Sequence, residues 1–147
     1  MEIKRTLNEI LVKLFRNIND IEEQAIRTEE YKDVTTNDMH VIEAIGIGEP
    51  KNMTAVAKSL GVTTGTLTIS VNSLVKKGFV DRVRSEEDRR VVLVSLSPKG
   101  KRAYEHHRRF HEEMIEAVVE RLSEEEKEAL EKALRNLNSF FAEKNRK

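Results

Sequence analysis

Three residues, Gly61-Val62-Thr63, separate two short stretches of helical periodicity, and this spacing constrains the fold more than any other feature of the chain. From Met53 to Leu60 the residues Ala55, Val56 and Leu60 supply an apolar face, and from Thr64 to Lys77 the residues Leu67, Val71 and Leu74 recur at helical spacing. Gly61 stands where a helix ends in the left-handed conformation that a residue without Cβ adopts most easily, and Gly78 closes the second stretch in the same way. Thr63 and Thr64 are short hydroxyl residues suited to capping the second helix. Two short helices joined by a three-residue turn predict a helix-turn-helix.

Beyond Gly78 the period changes. Phe79 to Arg84 and Val91 to Leu96 alternate or carry β-branched residues and read as strands, with the polar run Ser85-Glu-Glu-Asp-Arg-Arg90 between them. The result is a hairpin tipped with arginine. Ser97-Pro98 then starts a long helix to about Leu122, and Ser123-Glu-Glu-Glu126 matches a capping box that opens a last one. At the other end Ile3, Leu7, Ile10, Leu11, Leu14, Ile18 and Ile21 lie on one face of a helix predicted from Glu2 to Thr28. A second helix is expected from Thr35 or Thr36 to Gly46 or Gly48, with Met39, Ile42 and Ile45 inward.

The expected fold is therefore mostly α with a small β-hairpin wing. A winged helix-turn-helix at 35–96 lies between long helices at 1–34 and 97–147, all in one domain of 147 residues. The last helix carries Ala129, Leu130, Ala133, Leu134, Leu137, Phe140 and Phe141 as one broad stripe. Three long amphipathic helices offer more apolar face than one subunit can cover, which predicts a homodimer joined through them.

Net charge is zero over the whole chain, but it is unevenly divided. Residues 1–57 carry −4, residues 58–109 carry +7 and residues 110–147 carry −3. A basic centre between acidic ends fits one region facing phosphate, with double-stranded DNA as the expected partner. No cysteine is present, which removes thiolate metal sites and thiol nucleophiles. No apolar run approaches the roughly 20 residues that span a bilayer, and MEIKRTLNEI lacks the apolar core of a signal peptide. The expectation is a cytoplasmic protein without membrane association. Phosphate loops and nucleophile motifs are missing too, so neither an enzyme nor a cofactor is expected.

Duplex recognition asks for a helix that fits the major groove, with small polar side chains near its start and cations at its flanks. In Thr64 to Lys77, the residues Thr64, Thr66, Thr68, Ile69, Asn72 and Ser73 lie off the core stripe, and Thr63 sits at the helix start. Four threonines on an exposed helix need a reason, because threonine is a weak helix former. Lys76 and Lys77 are assigned to phosphate, although lysines also suit a helix C-terminus for its dipole alone. In the hairpin, Arg84, Asp88, Arg89 and Arg90 form a second constellation. An arginine at a ribbon tip can enter the narrow minor groove, while Asp88 holds a neighbouring guanidinium. Charge runs often end as solvated turns; the position directly after a helix-turn-helix favours DNA. The competing class is a winged protein-interaction module, against which the +7 centre argues.

The stretch Asp88-Arg89-Arg90-Val91-Val92-Leu93-Val94-Ser95-Leu96-Ser97-Pro98-Lys99-Gly100 closely resembles the wing signature of the MarR family, and Leu74 to Arg82 resembles that family's recognition-helix exit. The resemblance implies a triangular homodimer whose terminal helices pair the subunits and whose two winged motifs read half-sites of an inverted repeat. It also implies that Arg89 enters the minor groove, although Arg90 departs from many relatives and leaves open which arginine does so. Ile21-Glu22-Glu23, Asp38 to Ile42, Val62 to Thr68, Arg84 to Val92 and Arg109-Phe110-His111 look like the fatty-acid-synthesis repressors within the family. That branch implies fatty acyl chains, carried on acyl carrier protein, as corepressor.

Effectors of MarR-like dimers generally lie between the dimer-forming helices and the winged core. The residues expected nearest that junction are Leu14, Phe15, Ile18, Met39, Ile42 and Phe110, with His40 and His107 as polar ends. Plain core packing is the competing reading of this set. His107 and His111 stand four apart on one helical face beside His106 and could ligate zinc. With no cysteine nearby and Arg108 and Arg109 between them, the default is a polar helix face and no metal.

Overall fold

The computed structural model describes residues 2–28 and 31–145. Six helices and three short strands follow in the order α1 (Glu2–Ile26), α2 (Thr36–Ile45), β1 (Lys51–Asn52), α3 (Met53–Leu60), α4 (Thr64–Lys77), β2 (Val80–Arg84), β3 (Val92–Leu96), α5 (Pro98–Glu120) and α6 (Glu124–Asn145). The fold is mostly α with a small antiparallel sheet. The helix-turn-helix matches the predicted boundaries at both of its helices. Helix α1 ends at Ile26, two residues before the predicted Thr28, where the Thr28 N–H turns back to the Ile26 carbonyl at 2.8 Å.

The helix ends obey local chemistry. Thr35 Oγ1 accepts from the Asp38 N–H at 3.0 Å while Asp38 accepts from the Thr35 N–H at 3.1 Å, a reciprocal box that starts α2. Asn52 and Thr63 cap α3 and α4. Gly61 (φ 70°) and Gly78 (φ 86°) end them in the left-handed conformation that the sequence demanded. On the inner side of α3, Val56 and Ala57 are buried, whereas Ala55, expected inside, is exposed.

The sheet order is β1-β3-β2, antiparallel throughout. Val80 pairs with Leu96 and Arg84 with Val92 across the hairpin. Strand β1 had not been predicted. At two residues it is too short to show a period, and it pairs Lys51 with Val94 and Asn52 with Leu93.

The chain divides into two compact units, residues 1–108 and 109–147, with the division inside α5. The core belongs to the first unit and joins Met39, Val41, Ile42 and Ile45 of α2 to Val56, Leu67, Val71, Leu74, Phe79, Val94 and Ala103. In the second unit, Ser123 and Glu126 complete the expected capping box at 2.9 and 3.2 Å. Helix α6 buries no residue. Among the described residues no helix is long and apolar enough to cross a membrane.

Candidate nucleic-acid interface

Leu67, Val71 and Leu74 anchor one side of α4 in the core and so fix what the other side presents. Thr64, Thr66, Thr68, Ile69 and Asn72 are exposed there, and Ser73 is half-buried. Ile69 is 73% exposed, an apolar branched side chain with no packing role in the subunit. The threonines divide by hydrogen bonding. Thr63 Oγ1 accepts the Thr66 N–H at 3.1 Å and donates to Thr66 Oγ1 at 3.0 Å, so Thr63 serves the helix start. Thr68 donates its hydroxyl to the Thr64 carbonyl at 2.7 Å. Asn72 Oδ1 accepts from the Arg82 guanidinium on β2, which leaves the amide N–H groups facing solvent.

The two lysines at the end of α4 part company. Lys76 is exposed. Lys77 turns back, donating to Asp38 Oδ2 at 2.8 Å and to the Asp33 carbonyl at 2.7 Å. Its expected phosphate role is therefore corrected to a tie between α4 and the start of α2, because a nearly buried carboxylate holds a cation more firmly than solvent does. Arg82 and Asn37, whose amide donates to Ser70 at 3.1 Å, were absent from the predicted set. Asn37 reaches α4 from 33 positions away and Arg82 folds back on it from the strand that follows.

In the wing the Asp88 carboxylate grips Arg90 bidentately, at 3.1 Å to Nε and 3.1 Å to Nη2, and also accepts the Arg90 backbone N–H. The guanidinium, and then the backbone N–H, hold the Asp88 carboxyl below the usual carboxylate range. Arg84 donates to the Arg89 carbonyl at 2.8 Å and braces the tip. Among the described residues the Arg89 side chain makes no hydrogen bond or ion pair. Between the starts of α3 and α4 and the wing lies a cleft of about 670 Å³, bordered by Asn52, Thr54, Lys58, Thr64 and Arg90. Lys58, missed in the sequence, adds a cation to this face.

The eight residues expected around an effector differ in exposure. Met39 and Ile42 are fully buried in the core, while Leu14 and Phe15 of α1 are 48% and 63% exposed and Ile18 is half-buried. Phe110 belongs to the second unit. His40 is exposed on α2, and His107 is buried with Nε2 2.8 Å from Glu43 Oε1 and 3.3 Å from Glu22 Oε1. The His106 ring lies against Tyr31, with 5.4 Å between centroids.

Comparison with known proteins follows the same lines. Residues 32–91 match the model of the MarR family. FabT of Streptococcus pneumoniae, solved in complex with DNA, is 41% identical; the match covers 95% of this chain and 98% of FabT with a TM-score of 0.91. The complex of Staphylococcus aureus MepR with DNA is 25% identical, with 87% and 96% covered and a TM-score of 0.67. Among curated relatives, the HTH-type transcriptional regulator YhjH of Bacillus subtilis is 28% identical over 107 residues, which are 71% of this chain and 61% of that protein. With the helix-turn-helix, the wing and its arginines in place, and with a near full-length match to FabT, the chain belongs to the MarR family.

Proposed function

We propose that the chain is a DNA-binding transcriptional regulator, a homodimer that reads an inverted repeat and represses fatty-acid-synthesis genes, with acyl chains on acyl carrier protein as corepressor. The observation that carries the DNA reading is the exposed face of α4, where Thr64, Thr66, Ile69 and Asn72 stand clear of the core beside Lys76 and the arginine-tipped wing. Hydroxyls and an amide can read base edges, and the Ile69 side chain can meet a thymine methyl. Arg89 is assigned to the minor groove, because Asp88 already holds Arg90. The FabT likeness supports both the DNA reading and the narrower pathway.

Dimerisation is supported by apolar side chains left exposed within each unit. On α1 these are Ile3, Leu7, Ile10, Leu14 and Phe15; on α6 they are Leu130, Leu134, Leu137, Phe140 and Phe141. Faces of this kind are costly in water and are covered by a second copy in oligomers. Leu14, Phe15 and His40 are exposed residues of the expected acyl site.

Fluorescence anisotropy with an inverted-repeat duplex tests the reading, after mapping of bound genomic sites has supplied the sequence. Affinity should fall with a log–log salt slope of about 0.9 per phosphate contacted. A flat salt response refutes phosphate contact. Thr66→Ala and Asn72→Ala should relax sequence preference, whereas Arg89→Ala should weaken all sites; equal losses from all three would sink that division of roles. Acyl carrier protein loaded with a long acyl chain should tighten operator binding relative to the unloaded carrier. No difference removes the corepressor while leaving DNA binding intact.

A further inference from the structure

We propose that, within the DNA reading of α4 on which this rests, Arg82 is a positioning residue that fixes the Asn72 amide as a pure hydrogen-bond donor, so that Asn72 selects guanine over adenine in each half-site. Asn72 follows the fully buried Val71 on α4, and it shares the exposed face with Ile69 and Lys76 at helical spacing. Arg82 lies two residues beyond buried Val80 on the same face of β2, where pairing with Val94 holds its backbone. Its guanidinium donates to Asn72 Oδ1. A guanidinium carries only donors, so the amide oxygen is the one side-chain atom of Asn72 that can bond to it, and a flipped amide would set N–H against N–H. The contact therefore decides which way the amide points.

Base recognition depends on which atoms that amide offers. An asparagine that reads adenine uses both ends of its amide, the oxygen accepting from N6 and the nitrogen donating to N7. With Oδ1 turned to β2, Asn72 offers two N–H groups to the groove and keeps its acceptor away from it. Guanine matches that set, because its major-groove edge presents N7 and O6 as adjacent acceptors with no donor between them. Adenine keeps N7 but places its N6 amino group against the second N–H, and a donor that faces a donor in a closed interface loses its water without gaining a partner. Thymine O4 is a single acceptor and ranks between the two, while cytosine shows only its amino group. The charge on Arg82 also polarises the amide and strengthens the outward N–H groups. Asn72 and Arg82 are both exposed, so the pair belongs to the DNA-facing surface and not to the core.

The full-length protein is measured by anisotropy against the mapped inverted repeat and against duplexes in which each base pair of a half-site, with its symmetry mate, is replaced in turn. Asn72→Ala identifies the pair that Asn72 reads as the one position where selectivity is lost. There the wild type should bind guanine over adenine by about tenfold, the scale of one specific base contact. Arg82→Met frees Oδ1 and should erase or invert that ratio while preferences at other positions stay as they were. In an Asn72→Ala background Arg82→Met should alter no base preference. Asn72→Asp keeps a partner for Arg82 but turns only acceptors outward, and should favour the amino-bearing bases adenine and cytosine at the same pair. Circular dichroism confirms the fold of each variant. A wild-type preference for adenine at that pair overturns the proposal. So does an Arg82→Met variant that weakens every duplex alike and keeps the guanine preference, or an Asn72→Ala variant that changes preference at no pair. In those three cases salt-dependent binding of the repeat by the wild type leaves the DNA reading standing, whereas a wild type that binds no duplex sinks both.

Discussion

Replacing Ser97 with alanine probes how the exit of α4 is tied to the start of α5. The Ser97 side chain is almost wholly enclosed, donating its hydroxyl to the Gly78 carbonyl at 2.6 Å and accepting the Gly100 N–H at 3.1 Å. Loss of an N-cap costs about 1 kcal/mol where water can replace it. Here Gly100 is buried, so its N–H loses its partner without gaining water, and the cost moves toward roughly 2 kcal/mol. The half-buried bond to Gly78 adds about 1 kcal/mol. A total of about 2–4 kcal/mol corresponds to a fall in Tm of roughly 6–12 °C for a chain of this size. Ser123→Ala supplies the internal control. It removes the same kind of cap at α6 where both partners are exposed, and should cost only about 1 kcal/mol, or roughly 3 °C. Thermal unfolding followed by circular dichroism at one protein concentration measures both, and Ser97→Thr should stay near wild type. A Ser97→Ala loss no larger than that of Ser123→Ala refutes the claim that burial doubles this cap.

Three further outcomes follow from contacts elsewhere. Gly100→Ala should lower Tm although alanine is the better helix former by about 1 kcal/mol, because its Cβ would overlap the Phe79 backbone carbonyl; a rise in Tm would contradict that packing. Lys77→Met should destabilise by about 1–2 kcal/mol in urea denaturation, since it strips the cation from Asp38, whereas Lys76→Met should leave stability unchanged and weaken DNA binding; the reverse pattern would exchange their roles. For Asp88 the folded carboxyl titrates below its ordinary value of 3.8, so its contribution to wing order is complete above 3.8 and is lost as pH falls through the lower folded value. Carboxyl NMR should show that depressed midpoint, and Arg90→Ala should return it toward 3.8; a wild-type midpoint at or above 3.8 removes the Arg90 grip.

Local signals in the sequence carried the elements, and long-range pairing decided the rest. Glycine, threonine and serine placed the starts of α2, α4 and α6 and the ends of α3 and α4 to within a residue, because capping is chemistry among near neighbours. Strand β1 escaped because its two residues obtain their identity only from Val94 and Leu93 across the sheet. Ala57 replaced Ala55 inside α3 because, in an eight-residue helix, two alanines two apart give the period nothing to choose between. The DNA face was legible as a gap in the core stripe of α4. Which arginine is held and which lysine turns inward was not, since Lys76 and Lys77 differ only in where a chain 39 residues earlier has placed Asp38.

Helix α2 holds both ends of this arrangement. One side of it meets α4 twice, through Asp38 to Lys77 and through Asn37 to Ser70, so its position fixes the angle at which the threonine face is presented. Another side carries His40 and Glu43, which meet Glu22 of α1 and His107 of α5. A rigid ten-residue helix packed through Met39, Ile42 and Ile45 has little freedom to absorb strain internally, so a shift at one side is delivered to the other as a body movement.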